Sequence, residues 1–321
     1  MAKKIKQDEG KTVDMVINEV NSMFKGRSPI MKASQLPKKP VIPTGVAKLD
    51  AGIGGGIPTG VTVVWGPESV GKSTICLQTV ANCQKAGKVA LYIDLERKLD
   101  LVRAQQLGVN LDELLIVSDI EYGEEAFEII RNMARENAVD LIVLDSLSAL
   151  SMHGEQFKGK TGAEKDREIA EAEMAQVANK LAKGLKVFSN DLERGRYVHL
   201  LCCAQLRMSL GSFIVRGSWS GGNAIKHASK LTIGLRRGQK DNAPVRKSKA
   251  INEETGRLNT VEETVGFEGV LKVEKNHCSS ENRLNEGSEL HVPFYFDTGF
   301  VAPEWANEVI KLENTKEDDS E

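Results

Sequence analysis

Gly66-Pro67-Glu68-Ser69-Val70-Gly71-Lys72-Ser73, with Thr74 behind it, spells G-x-x-x-x-G-K-[ST], and its surroundings decide the fold. Val61-Thr62-Val63-Val64-Trp65 before it reads as a short buried strand. After it, residues 74 to 85 carry Ile75, Leu77, Val80 and Ala81 at the spacing of a helix packed on a sheet. In that context the N–H groups of residues 67 to 73 line a nest at a helix N-terminus, where partial positive charge favours a polyphosphate. Lys72 reaches the β and γ phosphates, and the Ser73 hydroxyl ligates Mg²⁺. A functionless glycine-rich turn is the competing reading. The four fixed positions coincide by accident in ~2% of such chains, before strand and helix are required. The stretch therefore predicts a nucleoside-triphosphate site.

The 321 residues suffice for one large α/β domain with appendages, or for two ordinary domains. A net charge of −2 leaves nucleic-acid binding to a local patch rather than a global field. No run approaches the ~18 apolar residues of a transmembrane helix, so no membrane partner is expected. The polar stretch from Met1 to Gly10 lacks the apolar segment of a signal peptide. Five cysteines without a C-x-x-C place the chain in a reducing cytoplasm, with Cys202 and Cys203 in an apolar run as buried strand residues.

Val13, Val16, Ile17, Val20 and Phe24 recur at helical spacing, which predicts an amphipathic helix over residues 12–24. Pro37, Pro40 and Pro43 then mark an extended connector. The α/β core starts near Thr44, with strands expected at 61–65, 89–93, 141–144, 197–204 and 231–235. Helices are expected over 124–136 and 164–186, and later, antiparallel strands over 270–274 and 291–296. The expected fold is a mostly parallel central sheet preceded by a helix and linker (residues 1–43). The core spans 44–300, and 301–321 form a short acidic tail without a substantial C-terminal domain.

In open parallel sheets function collects beyond the carboxyl ends of strands. Asp145 ends an aliphatic run and fits a carboxylate that orients Mg²⁺; an N-cap is its plainer role. Glu96 and Asp94 both end the second strand, and either could draw a proton from the water that attacks the γ-phosphate. Gln205 ends the fourth strand, where an amide could sense that phosphate.

From Leu206 to Lys240 there are seven cations (Arg207, Arg216, Lys226, Lys230, Arg236, Arg237 and Lys240). No Asp or Glu occurs there, where composition predicts about five. Phe213 and Trp219 are interleaved, and Gly211, Gly217, Gly221 and Gly222 make the segment pliable. That mixture suits single-stranded DNA held by its phosphates and base faces; a solvated basic loop is the alternative. Residues 151–167, with Lys158, Lys160 and Lys165 among glycines, fit a second, weaker loop.

The combination of Ile42-Pro43-Thr44-Gly45, the phosphate loop, Ile93-Asp94-Leu95-Glu96, Leu144-Asp145-Ser146, Gln205-Leu206-Arg207-Met208 and Gly221-Gly222-Asn223-Ala224 resembles the RecA recombinase family, in its bacterial form. The resemblance runs from about Val16 to Phe300. It implies a DNA-dependent ATPase that forms helical filaments on single-stranded DNA and pairs it with homologous duplex DNA. It implies that Glu96 and Lys72 are catalytic and that Gln205 couples the γ-phosphate to the DNA loop. DNA contact then falls to Arg207, Met208, Phe213, Arg216, Trp219, Gly221, Gly222, Asn223 and Lys226. It further implies that the N-terminal helix docks on a neighbouring copy, whose ATP is reached across the interface by Lys275 and the residue at 277. Here that residue is His277 rather than lysine, the adenine-stacking position is Arg103 rather than tyrosine, and His227 replaces an aromatic relay. Ala172 and Asn179 stand where arginines are expected. These departures keep a second reading open: an ATP-gated accessory or regulatory protein that modulates another recombinase.

Overall fold

The computed structural model describes residues 12–24, 30–35, 39–149, 197–207, 218–219, 228–251, 258–278 and 284–303. The helix expected over 164–186, the loop near 151–167 and residues 304–321 of the acidic tail lie outside them, as do Met208, Phe213, Arg216, Gly221, Gly222, Asn223, Lys226 and His227. The chain divides into two compact units at Lys39 and Pro40.

In the first unit α1 (Val13–Ser22) begins where the Thr12 hydroxyl accepts the Met15 N–H, an N-cap. The Asn21 side chain exchanges two hydrogen bonds with the Ile30 backbone, at 2.8 and 3.0 Å, which turns the following chain back on the helix. No residue of α1 is buried, and Val13 is 75% exposed. Phe24 falls just beyond the helix end, so the expected apolar stripe closes at Val20.

The second unit runs β1 (Val41–Ile42), α2 (Ala47–Gly52), β2 (Ile57–Pro58), β3 (Gly60–Gly66), α3 (Lys72–Lys85), β4 (Ala90–Asp94), α4 (Leu101–Gln106), β5 (Leu115–Val117), α5 (Gly123–Arg135) and β6 (Leu141–Asp145). It continues with β7 (His199–Arg207), β8 (Ser218–Trp219), β9 (Leu231–Arg237), β10 (Val245–Ile251), β11 (Leu258–Thr264), β12 (Gly266–Asn276) and β13 (Glu289–Tyr295). The central sheet has the order β13-β12-β9-β3-β7-β6-β4-β5. The strands from β9 to β5 in that order pair in parallel, and β12 and β13 complete the edge antiparallel.

Alternation along the strands sorts side chains into two cores. Tyr92, Leu141, Val143, Leu201 and Cys203 pack on the face that also holds Ile75 and Val80 of α3. Leu91, Ile93, Ile142, Leu144, Leu200 and Cys202 pack on the opposite face with Ala126 and Ile130 of α5. Both faces are covered, which explains why these strands read as continuous aliphatic runs. All five cysteines are buried, and none is in a disulfide.

Two features depart from expectation. β7 runs on to Arg207, and β8 folds back on it with Leu206 opposite Trp219, so residues 206–207 and 218–219 of the basic segment form a short antiparallel ribbon. A second hairpin, β10–β11, has no counterpart in the sequence reading. Its strands are charged rather than apolar and pair antiparallel along their whole length, with Arg246 opposite Glu263 and the exposed Lys247 and Glu262 3.2 Å apart. Among the described residues no helix is long and apolar enough to cross a membrane.

His199 opens β7 and is fully buried. The carbonyls of Pro58 and Ile57 approach its ring, yet neither nitrogen has a hydrogen bond of good geometry among the described residues. Burial pushes the imidazole down from 6.5 to about 4. The unfolded chain therefore binds the extra proton between those values, so this contribution is complete above pH 6.5 and is lost as pH falls towards 4. At pH 5 the loss is about 2 kcal/mol. His199→Leu should remove that part of the pH dependence. Urea unfolding at pH 7.5 and pH 5 checks this, and an equal drop in both proteins would refute it.

Candidate nucleotide and catalytic site

Gly66 ends β3 and the next residues turn sharply into α3. A Cβ on Gly66 would come within 2.3 Å of the Leu235 carbonyl oxygen, so only glycine lets β9 approach this closely. Gly71 has φ +96°, and a Cβ there would lie 2.9 Å from the rings of Phe294 and Phe300. Val70 is 3% exposed and anchors the loop in the core. Lys72 opens α3 and folds its ammonium back onto the Pro67 carbonyl. Burial lowers its pKa, against the pull of Asp145, Glu68 and Glu96 nearby. Arg237 braces the loop from outside, donating to the Ser69 carbonyl at 3.0 Å while its guanidinium lies 4.4 Å over the Phe267 ring.

Asp145 ends β6 on the same face as Leu141 and Val143, the α3 face. Its Oδ2 accepts hydrogen bonds from the Ser73 hydroxyl at 2.8 Å and the Tyr92 hydroxyl at 2.6 Å. Burial and the adjacent Asp145 charge raise the Tyr92 pKa, so it stays a donor. Ser73 and Asp145 offer hard oxygens of the kind Mg²⁺ takes together with phosphate oxygens and water. Among the described residues no cluster of three His, Cys, Asp or Glu could hold a metal unaided.

Geometry separates the two carboxylates that end β4. Asp94 is 7% exposed and its Oδ2 accepts the Leu99 N–H at 2.8 Å, which closes the turn into α4. Both carboxylates line the cleft, but the donors that meet across it converge on Glu96. Its Oε1 accepts from the Ser146 hydroxyl at 2.6 Å and the Gln205 amide at 3.0 Å, and its Oε2 from the Lys98 ammonium at 2.9 Å. Burial works against the anion, but the donations from Ser146 and Lys98 outweigh it and hold the pKa below the usual carboxylate value.

Glu68, Ser69, Lys72, Ser73, Thr74, Glu96, Arg103, Asp145 and Gln205 thus line one cleft of about 310 Å³. Arg103, on α4, closes it by donating to the Asp297 carbonyl. Lys275 and His277 do not line it: Lys275 sits at an irregularity of β12, and His277 is exposed just past that strand, its N–H on the Lys230 carbonyl at 2.8 Å. Three cations counted with the basic segment are engaged elsewhere. Lys230 donates to the Thr59 carbonyl, Arg236 pairs with Glu289 at 2.7 Å, and Arg237 braces the phosphate loop. Sequence reasoning missed Tyr92, Ser146, Lys98 and Arg237. A tyrosine inside an otherwise aliphatic strand was the one legible signal.

A phosphate loop after β3, with a hydroxyl and a carboxylate meeting behind it and a second carboxylate across the cleft, defines a P-loop protein. Residues 11–280 match the family described as RecA N-terminal domain. Protein RecA of Marinobacter nauticus is 32% identical over 283 residues, 86% of this chain and 73% of that protein. Protein RecA of Desulfotalea psychrophila is 36% identical over 238 residues, 72% of this chain and 63% of its own length. For Protein RecA of Syntrophus aciditrophicus the figures are 30% over 285 residues, 87% and 75%. The chain belongs to the RecA family.

Tyr92→Phe keeps the buried ring and removes the hydroxyl from Asp145. Mg²⁺-dependent nucleotide affinity should fall about fivefold, the worth of one net hydrogen bond of about 1 kcal/mol. A fluorescent-nucleotide titration with and without Mg²⁺ checks this; an equal loss in both conditions would place the tyrosine in the fold alone.

Proposed function

We propose that this chain is a DNA-dependent ATPase that polymerises as a helical filament on single-stranded DNA and promotes its pairing and strand exchange with homologous duplex DNA. The observation that carries the proposal is the hydrogen bond between Glu96 and Gln205. Gln205 lies on β7, which runs without a break to Arg207, at the start of the acid-free basic segment. A carboxylate beside the phosphate loop is thereby coupled to the segment suited to DNA.

In this reading ATP lies with its phosphates in the nest of residues 67–73 and with Lys72 on the β and γ oxygens. Ser73 and Asp145 would hold Mg²⁺, which when bound would supply charge neutralisation at the phosphates. Glu96 orients water and draws its proton as the water oxygen attacks the γ-phosphorus, while the bond from that phosphorus to the β–γ bridging oxygen breaks and ADP leaves. Gln205 registers the state of that phosphate through Glu96 and passes it along β7. Single-stranded DNA is held by Arg207, Arg216 and Lys226, with Phe213 and Trp219 against its bases and Met208, Gly221, Gly222 and Asn223 completing the loop. The exposed valines of α1 support docking on a neighbouring copy, where Lys275 and His277 reach the adjacent nucleotide.

Glu96→Gln keeps shape and removes the charge that accepts a proton. Turnover should fall by ~10²–10⁴-fold while ATP and Mg²⁺ still bind. Asp94→Asn, at a carboxylate already engaged by the Leu99 N–H, should retain more activity; the reverse ranking would transfer the catalytic role to Asp94. Electron microscopy with single-stranded DNA and a non-hydrolysable ATP analogue should show helical filaments. Rings or monomers would leave the accessory-protein reading in place.

Replacing Arg207 and Arg216 together with alanine should reduce the slope of log K against log salt for single-stranded DNA by roughly 1.4, at ~0.7 per lost phosphate contact. Filter binding across a salt series measures it. An unchanged slope would remove both arginines from the DNA contact.

A further inference from the structure

Among the described residues, Lys98 is the donor to Glu96 whose side chain is mostly exposed to solvent. Its ammonium sits 2.9 Å from Glu96 Oε2, with 76% of the Lys98 side chain exposed against 19% of Glu96. It lines the same cleft as Lys72 and Ser69, and it feels the charges of Glu68 and Asp145 as well as Glu96. Its backbone is held on both sides. The Leu95 N–H donates to the Asp145 carbonyl at 2.8 Å, and the Leu99 N–H to Asp94 at 2.8 Å. Between them Arg97 takes φ +54° and pairs with Asp119 at 3.3 Å. A fixed backbone thus carries a long, solvated cation at the rim of the phosphate cleft.

A pair with one partner so exposed is weakly held, because solvent competes for the ammonium and the flexible stem loses entropy in any single pose. Lysine presents three donors on a flexible four-carbon stem, which suits transfer between anions. Glu96 Oε2 carries that contact where a water would have to be bound. A triphosphate terminus entering past Lys72 brings more negative charge than one carboxylate.

We propose that Lys98 is a γ-phosphate-sensing residue: it pairs with Glu96 in the empty site and moves to the terminal phosphate when a nucleoside triphosphate binds, freeing Oε2 to accept a hydrogen bond from water. This rests on the reading that the triphosphate end faces Glu96. A diphosphate stops short of Lys98, so the residue sets the preference for triphosphate over diphosphate. One arrival then both supplies a cation to the terminal phosphate and uncovers the base.

Calorimetric titration with ADP and with the imido analogue of ATP, both with Mg²⁺, tests the exchange without turnover. Lys98→Ala should weaken the triphosphate analogue by roughly tenfold, the worth of one charge-assisted contact, and leave ADP affinity unchanged. ADP affinity also serves as the control for folding. Lys98→Arg should restore most of the loss. Glu96→Gln removes the resting partner and should tighten the triphosphate analogue relative to wild type, a gain that disappears when Lys98→Ala is added. A triphosphate-to-diphosphate preference unchanged in Lys98→Ala would overturn the exchange while leaving the nucleotide site intact. Failure of the wild-type protein to bind either nucleotide would instead overturn the underlying reading, and the exchange with it.

Discussion

Parallel backbone pairing sets Gly66 opposite Gln205 and Asp94 opposite Asp145, and the cleft depends on that register. Four strands end at one level, so the phosphate loop, the Ser73–Asp145 pair and the Glu96–Gln205 pair open on the same space. A one-residue slip of β6 against β4 would turn Asp145 from the α3 face to the α5 face, away from Ser73. The register is secured by burial on both sides of the sheet, since such a slip would also move Leu141 and Val143 out of one core and Ile142 and Leu144 out of the other. Packing and chemistry are therefore specified by the same alternation.

The loop itself is held by contacts of very different kinds. Close backbone approach at Gly66, a buried valine at residue 70 and the outer arginine brace together leave the N–H nest little freedom. Rigidity there matters because donors oriented in advance stabilise phosphate charge without reorganising when it arrives. The brace comes from β9, whose neighbour β12 presents the Phe267 ring beneath the guanidinium. The antiparallel edge of the sheet thus supports the phosphate loop from outside the cleft.

Across the cleft the arrangement is looser by design of its donors. Ser146 is buried and follows a sheet strand, and Gln205 lies on one, whereas Lys98 is solvated. The Glu96 carboxylate therefore has one oxygen fixed by the fold and one held by a side chain that can leave. That asymmetry fits a group that must be positioned when the site is empty and available when it is filled.

Much of this protein was legible in one dimension. The phosphate loop, the strands that precede and follow it and the polar residues at their ends are local patterns: aliphatic runs, a helical stripe, and glycines where the backbone must turn. Those patterns carry both the P-loop character and the resemblance to RecA. What the tertiary structure decided is which side chains meet. Asp94 and Glu96 are equivalent in sequence and both line the cleft, and only the folded turn gives one the Leu99 N–H and the other the Gln205 amide. Arg236 and Arg237 count as charge in a basic segment until β12 and β13 supply their partners. The β10–β11 hairpin escaped notice because neither strand carries an apolar repeat, and the pairing of the two lies in the backbone register between them. Local periodicity records what a residue does for its own strand or helix, while a hydrogen bond across about a hundred residues, such as Gln205 to Glu96, exists only once the sheet has brought the two ends together.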